Sequence, residues 1–349
     1  MRNRFYALSL GLLISLISVA TLFVYARYRL QSNENFERRF PPHMLGRKQQ
    51  LELTYNSFYL AGADSKVVYL GNHKKADLVI KLNRLTLDTL TIDLSLPDSL
   101  RKKAGWQWQF QADAAYCFNF LFGDLYWWTN NKFSEPPKHH RFGPINSLQA
   151  ISPTHVLVNT FESATRRRIV QSIRLEGPEV ERQYLPTQVK EGIYSTQGHL
   201  LYDHFSNQLL YVHLYWNRIQ LLDNLLQENG EAHTIDLQNR FDMVVTQYGD
   251  TAAPQMKIAG GVLNRQASVD KGYLLVLSSQ AARNQTLNQL QNFWTIDVYE
   301  STTGNYLYSF YLPRKKESMN LDFLLLWNHL FTLEGSTLTR YELNFPGSR

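Results

Sequence analysis

The chain has 349 residues, 44% of them hydrophobic and 19% charged, which excludes a disordered or collagen-like polymer. A single cysteine, Cys117, excludes an intramolecular disulfide and any cysteine-built zinc or iron–sulfur site. The formal charge of +6 is largely local: residues 1–30 hold Arg2, Arg4, Arg27 and Arg29 and no acid, which leaves +2 on the remainder. A nucleic-acid-binding domain needs a concentrated positive footprint to displace counterions from phosphates. The basic runs here are short: Lys138–Arg141, Arg166–Arg168 and Arg314–Lys316. They read as solvated loops or edge strands, and no nucleic-acid partner is expected.

The first element in the chain is a membrane segment. Phe5–Ala26 is 22 residues without a formal charge, about 33 Å as a helix against a hydrocarbon core of about 30 Å. Tyr6, Tyr25 and Tyr28 sit at its ends, where amphipathic rings favour the interface. A cleaved signal peptide has a shorter apolar core followed by a small-residue site, whereas Ser18-Val19-Ala20 lies inside this run. Residues 1–30 therefore read as an uncleaved, single-pass signal anchor that contacts the membrane through residues 5–26. Arginines flank both ends, so charge does not fix the orientation. A short tail before one span normally leaves the large domain outside the cytoplasm. The expected location is the cytoplasmic membrane, with the domain periplasmic or extracytoplasmic; a single cysteine is compatible with an oxidising compartment.

Residues 31–47 read as a polar linker, and residues 48–345 as one all-β domain. Apolar runs of four to eight residues recur with turn residues between them, and the 13% aromatic content favours pleated faces. Six strand pairs can be placed: Lys66–Leu70 with Asp77–Leu82, Tyr116–Phe120 with Leu125–Asn130, and His155–Asn159 with Arg168–Leu175. Then follow Leu209–Leu214 with Arg218–Asp223, Tyr273–Leu277 with Trp294–Glu300, and His329–Leu333 with Leu338–Leu343. The second strands start about 52 residues apart on average, the period of four-stranded propeller blades. A six-bladed β-propeller fits best; seven blades would require one more within residues 236–270. The fifth unit is the clearest. Trp294–Tyr299 alternates apolar and polar positions, Ser301–Gly304 supplies a turn, and Asn305–Leu312 forms an outer strand that Pro313 ends. After Leu343 too few residues remain for a fourth strand in the last blade, while a strand near Leu51–Tyr55 is left over at the other end. Pairing residues 50–55 with the last blade would close the ring and cover two exposed edges.

Asn35–Leu45 (NFERRFPPHML), Tyr55–Gly62, Val68–Asn72 and Ile296–Pro313 resemble an uncharacterised family of membrane-attached, propeller-like proteins of Bacteroidota. The similarity spans most of residues 35–343, and the Arg-Arg-Phe-Pro-Pro stretch is its most specific part. The resemblance implies a six-bladed propeller outside the cytoplasmic membrane and no established activity. The second blade departs most, through Trp106, Trp108, Tyr126, Trp127 and Trp128.

Those five aromatics are the best candidate binding surface, because rigid rings add contact area with little entropy loss. The competing use is packing between blades, the commoner fate of large aromatics. Alternation places Trp127 on one face and Tyr126 with Trp128 on the other. Other chemistry is sparse. His139-His140 near Glu135 resembles a ligand set, but adjacent strand residues point to opposite faces. His199, His204 and His213 follow no ligand spacing. Asp64, Asp203, Asp223 and Asp297 could form carboxylate pairs, yet Asp223 sits where turn capping accounts for it and Asp297 fits the polar face of an alternating strand. Nucleophile-elbow, phosphate-loop, zincin and EF-hand motifs do not occur, and Asn284-Gln-Thr286 is a chance-frequency sequon. No catalytic residue, metal or cofactor is expected. The reading is a non-catalytic binding or protein-interaction module that takes a protein or small ligand at its loops. The alternatives are a propeller enzyme (hydrolase, lyase or quinoprotein-type dehydrogenase) with its site in the central channel, and a structural subunit of a membrane complex.

Overall fold

The computed structural model describes residues 2–33, 36–92, 94, 97, 105–111, 113–130, 132, 135–162, 167–177, 179–189, 194–236, 243–246, 255–258, 261–316 and 318–346. Beyond an N-terminal helix, Arg2–Gln31, and a short helix, Leu287–Asn292, the described secondary structure is sheet, nearly all of it antiparallel. Twenty-four of the described strands fall into six sets of four. The first is Phe58–Ala63, Val67–Asn72, Val79–Asn83 and Thr89–Ile92; the second is Trp106–Gln111, Ala114–Asn119, Asp124–Trp128 and Lys138–Arg141. Ile145–Ser152, His155–Glu162, Arg167–Arg174 and Glu179–Tyr184 make the third, and Gly198–Asp203, Gln208–His213, Arg218–Leu222 and Glu228–His233 the fourth. The fifth is Asn264–Asp270, Tyr273–Ser278, Phe293–Glu300 and Tyr306–Pro313. The sixth takes Asp322–Leu326, His329–Glu334 and Thr337–Leu343 from the end of the chain and Leu45–Glu52 from its beginning. All six strand pairs expected from the sequence are hydrogen-bonded as pairs. In the stretch 236–270 the described residues hold a two-stranded ladder, Met243–Thr246 with Gln255–Ile258, ahead of the fifth set.

Strand chemistry follows position within each set. Second strands such as Val67–Asn72, Ala114–Asn119 and Gln208–His213 are buried throughout, because a neighbouring sheet covers each face and both parities of side chain must be accommodated. Fourth strands such as Lys138–Arg141 and Glu228–His233 are mostly exposed and polar, which discourages edge-to-edge pairing with other chains. The basic run Lys138–Arg141 is thus an edge strand.

Apolar clusters join the sheets in a cycle. Trp106, Trp108 and Trp128 of the second set pack on Tyr69 and Val79 of the first. Trp127 and Phe118 pack on Val156 and Ile173 of the third. Third and fourth sets meet through Val170 and Leu222, fourth and fifth through Val212 and Val276, and fifth and sixth through Leu275 and Phe323. The last cluster returns to the start, with Phe331 and Leu338 of the sixth set against Val68 and Leu82 of the first. Sets one and two approach closely enough for their first strands to pair in parallel, Gly62 with Phe110 and Ala63 with Gln111. Only glycine suits position 62: its φ is +125°, and a Cβ there would lie 2.0 Å from the Phe110 carbonyl oxygen.

Leu45–Glu52 pairs antiparallel with Thr337–Leu343, Leu51 opposite Leu338 and Lys48 opposite Tyr341. The pairing thus begins five residues before the expected strand and ends at Glu52, short of Tyr55.

The structure corrects the reading of residues 31–47 as a linker. Phe36, Arg38 and Met44 are buried while Glu37 and Arg39 are exposed, a period-two pattern set against the fifth sheet. Arg38 uses its whole guanidinium fork. Nε and one terminal nitrogen hold the two Asp297 carboxylate oxygens at 2.7 and 2.9 Å. The terminal nitrogens also donate to the Gln280 carbonyl, Gln285 Oε1 and Ser278 Oγ at 2.8, 2.6 and 2.8 Å. Phe40 stacks on Tyr311 with ring centroids 4.3 Å apart. Asp297 is therefore not a solvent-facing strand residue: it is 1% exposed and neutralised by an arginine 259 residues upstream.

Among the described residues no helix is long and apolar enough to cross a membrane. Side chains of Arg2–Gln31 are described over residues 10–25, all of them exposed. That stretch is about 24 Å long, and the expected span of residues 5–26 extends past it at both ends.

Candidate functional site

The strand Trp106–Gln111 (WQWQFQ) shows how the fold makes a site. Its alternation sends Trp106, Trp108 and Phe110 into the cluster between sheets, and sends Gln109 and Gln111 towards the ring axis. The first strand of every set contributes residues to the wall around that axis. Together they enclose a cavity of about 440 Å³.

This placement corrects the reading of the aromatic cluster as a binding surface. Trp106, Trp108, Trp127 and Trp128 are only 2–4% exposed. The indole of Trp108 donates to the Ala76 carbonyl at 2.7 Å and that of Trp128 to the Glu135 carbonyl at 3.0 Å. Trp127 faces the third sheet while Trp128 and Tyr126 face the first, as alternation requires. Only Tyr126 is half-exposed, stacked on His139 at 4.3 Å. Burial of apolar area, rather than contact with a partner, accounts for the indoles.

The other sequence candidates also resolve into structural roles. Asp64 caps its turn by accepting from the Lys66 and Val67 amides, and Asp223 accepts from those of Leu225 and Gln227. Asp203 binds the Phe205 and Gly272 amides and the Ser206 and Ser301 hydroxyls, tying the fourth sheet to the fifth. His139 pairs with Asp124 at 3.2 Å, His140 packs on Phe142, and Glu135 pairs with Lys132. His213 is enclosed between Ser195 O and Gln220 Oε1, and burial pulls its imidazole down to about 4. Among the described residues no three His, Cys, Asp or Glu side chains gather as metal ligands. Asn284 of the sequon holds the Arg38 backbone through both amide atoms.

The cavity wall is rich in carboxamides: Gln109, Gln111, Asn146, Gln149, Gln197 and Gln266, with Ser147 and Ser268 between them. None of its described lining residues is lysine or arginine. Gln111 Oε1 and Ser147 Oγ have no hydrogen-bond partner in the protein. Two histidines line it. His199 lies 3.0 Å from the Asn264 carbonyl and His204 meets Tyr202 edge-on, and burial lowers both imidazoles, favouring their neutral forms.

Two carboxyls complete the wall. Asp270 accepts the Trp327 amide, and Asp322 bridges three sheets by accepting the Leu60 amide at 2.8 Å and Gln266 Nε2 at 3.0 Å. Burial raises Asp270 and pushes Asp322 up to about 6, against the opposing pull of the Asp322 hydrogen bonds. An unfolded aspartate titrates near 3.9, so the folded protein binds the Asp322 proton more tightly. The stability this proton adds is complete below about pH 4 and is lost as pH rises through about 6. Asp322→Asn keeps an acceptor for Leu60 and cannot ionise. Denaturant unfolding from pH 4 to pH 8 should show wild type losing about 2–3 kcal/mol relative to the variant; parallel pH profiles would refute the assignment.

The channel residues escaped sequence reasoning because glutamine on an alternating strand normally reads as a solvent-facing residue. The available signal was recurrence: Gln109, Gln149 and Gln266 each sit on the first strand of a unit.

A ring of four-stranded sheets around a polar channel defines a protein of the β-propeller type. The comparisons agree at the level of fold. A member of the DUF4221 family from Bacteroides vulgatus aligns with 86% of this chain and 97% of its own, at a TM-score of 0.52 and 11% identity. A structure described as a streptogramin B lyase aligns with 86% of this chain and 99% of its own, at a TM-score of 0.50 and 7% identity. Both are β-propeller-type proteins. Neither a family model nor a curated protein matches the chain.

Proposed function

We propose that this chain is a six-bladed propeller, anchored to the cytoplasmic membrane by residues 5–26 with its domain outside the cytoplasm, that binds a neutral polar ligand in its channel without chemical turnover. The blade count is supported by six four-strand sets, the first two joined by the Gly62–Phe110 and Ala63–Gln111 pairs, linked in a cycle by apolar clusters. The anchor is supported by the uncharged run Phe5–Ala26 and by the 30-residue helix that contains it. The binding reading rests on one observation: the described channel wall offers carboxamides, neutral imidazoles and the two hydrogen-bonded carboxyls of Asp270 and Asp322, and no cationic side chain that would favour an anion. Amides donate and accept, which suits the hydroxyls of a saccharide or the amides of a peptide backbone.

Thermal-shift titration of the full chain in detergent, with neutral oligosaccharides and end-capped peptides, tests this. A neutral class should raise the melting temperature, its anionic counterpart should not, and Gln109→Leu with Gln149→Leu should abolish the shift. Stabilisation by anions alone would overturn the reading. Asp322 favours a second reading, an enzyme with its site in the channel, because a carboxyl raised towards neutrality is suited to proton transfer. Turnover that disappears in Asp322→Asn would establish that alternative.

A further inference from the structure

An antiparallel four-stranded sheet places its first and third turns at one end, and its middle turn with the link to the next sheet at the other. The same ends coincide around this ring. First strands of sets one and two pair in parallel. Sets four and five run together, from the His199–Asn264 contact to that of Asp203 with Gly272. Sets five and six do likewise, from Gln266–Asp322 to Asp270–Trp327.

The N-terminal helix reaches the ring at the end carrying the middle turns. Ser32–Asn33 pairs in parallel with Ala281–Ala282, inside the long middle connection of the fifth sheet. In that connection lies the short helix Leu287–Asn292, and Leu287 closes an apolar pocket with Ala20, Thr21, Val24 and Tyr25 of the N-terminal helix. The fifth sheet is therefore held beside residues that lie within the uncharged run.

A second feature of that end is independent of the helix. The middle turn of the second sheet exposes three consecutive apolar residues, Phe120, Leu121 and Phe122, at 42–54%, and Met319 in the link after the fifth sheet is 78% exposed. Lys74, Lys75, Lys315 and Lys316 stand exposed on connections at the same end, in excess over the exposed acids Asp77 and Glu52 there, the latter 3.9 Å from Lys315. The opposite end shows Leu85, Phe205, Leu225 and Trp327 singly on separate turns, with Trp327 covered by Arg84 and Lys271. Its turns carry the acids Asp64, Asp88, Asp223 and Glu300 beside the lysines Lys66 and Lys271. Exposed apolar residues and lysines on connections at one end of the ring are suited to the boundary between acyl chains and anionic headgroups.

We propose that the ring stands with its middle-turn end against the membrane, Phe120–Phe122, Leu287 and Met319 entering the lipid interface and the lysines meeting anionic headgroups. This orientation rests on the anchor proposed above. Full-length protein carrying Leu121→Cys or Phe205→Cys, labelled with an environment-sensitive fluorophore, is reconstituted into phosphatidylethanolamine–phosphatidylglycerol vesicles containing nitroxide lipid. Cys117 is fully buried and stays unlabelled in the folded protein. Nitroxide lipid should quench most of the signal at position 121 and little at position 205. Failure of the chain to float with the vesicles overturns the anchor, and this orientation with it. Flotation with position 121 unquenched, or with both positions quenched equally, overturns the orientation alone.

Discussion

Arg38→Met should cost about 3–5 kcal/mol of folding stability, the usual penalty for removing one partner of a buried ion pair. The loss has a specific origin. Asp297 is 1% exposed, and without the guanidinium its charge would keep a single side-chain donor, the Ser309 hydroxyl at 2.6 Å. Gln285 Oε1 would retain the Ala282 amide, while Ser278 Oγ would lose its arginine contact. The double variant Arg38→Met, Asp297→Leu should recover much of that loss, because it leaves no uncompensated charge. Urea unfolding of the two single variants and the double variant measures the coupling. Equal destabilisation by Arg38→Met in the wild-type and Asp297→Leu backgrounds would show that the pair is not coupled.

Deleting residues 1–55 should remove most of a domain stability that typically amounts to about 5–15 kcal/mol. The strand Leu45–Glu52 supplies one edge of the sixth sheet, and Leu51 and Leu53 pack in the cluster that joins the sixth sheet to the first. Its loss bares the Thr337–Leu343 backbone along the full ladder and opens the cycle at the junction of the two chain ends. Three truncations separate the contributions. A chain starting at residue 36 keeps both the Arg38 wedge and the closing strand, and should melt as cooperatively as the whole domain. One starting at residue 45 keeps the strand alone and should melt lower. One starting at residue 56 should lose cooperative melting, and an unchanged midpoint there would show that ring closure contributes nothing.

Local pattern was enough to place the strands and their partners. The pairs from Lys66–Leu70 with Asp77–Leu82 through His329–Leu333 with Leu338–Leu343 were legible because hairpin partners are close in sequence and period-two burial repeats within six residues. The leftover strand before Tyr55 and the missing strand after Leu343 also pointed to each other, since an unpaired edge at each end of the chain is a shortage and a surplus of the same element. The opposite facing of Trp127 and Trp128 was fixed by pleating alone. What each face meets was settled only by the assembled sheets. Alternation separates Trp106 and Trp108 from Gln109 and Gln111, but only the cycle of sheets makes one side a packed interface and the other a channel wall. Arg38 reads locally as one more charge in a polar stretch. Its role as the counterion of Asp297 depends on a contact across 259 residues, which exists only once the fifth sheet stands beside the incoming chain. Asp322 likewise owes its raised carboxyl to burial where three sheets converge, a place marked by its bonds to Leu60 and Gln266 on the two other sheets. Local periodicity is a property of a few residues and their dihedral angles; burial, charge pairing and channel chemistry are properties of the space between sheets that the chain brings together from its distant parts.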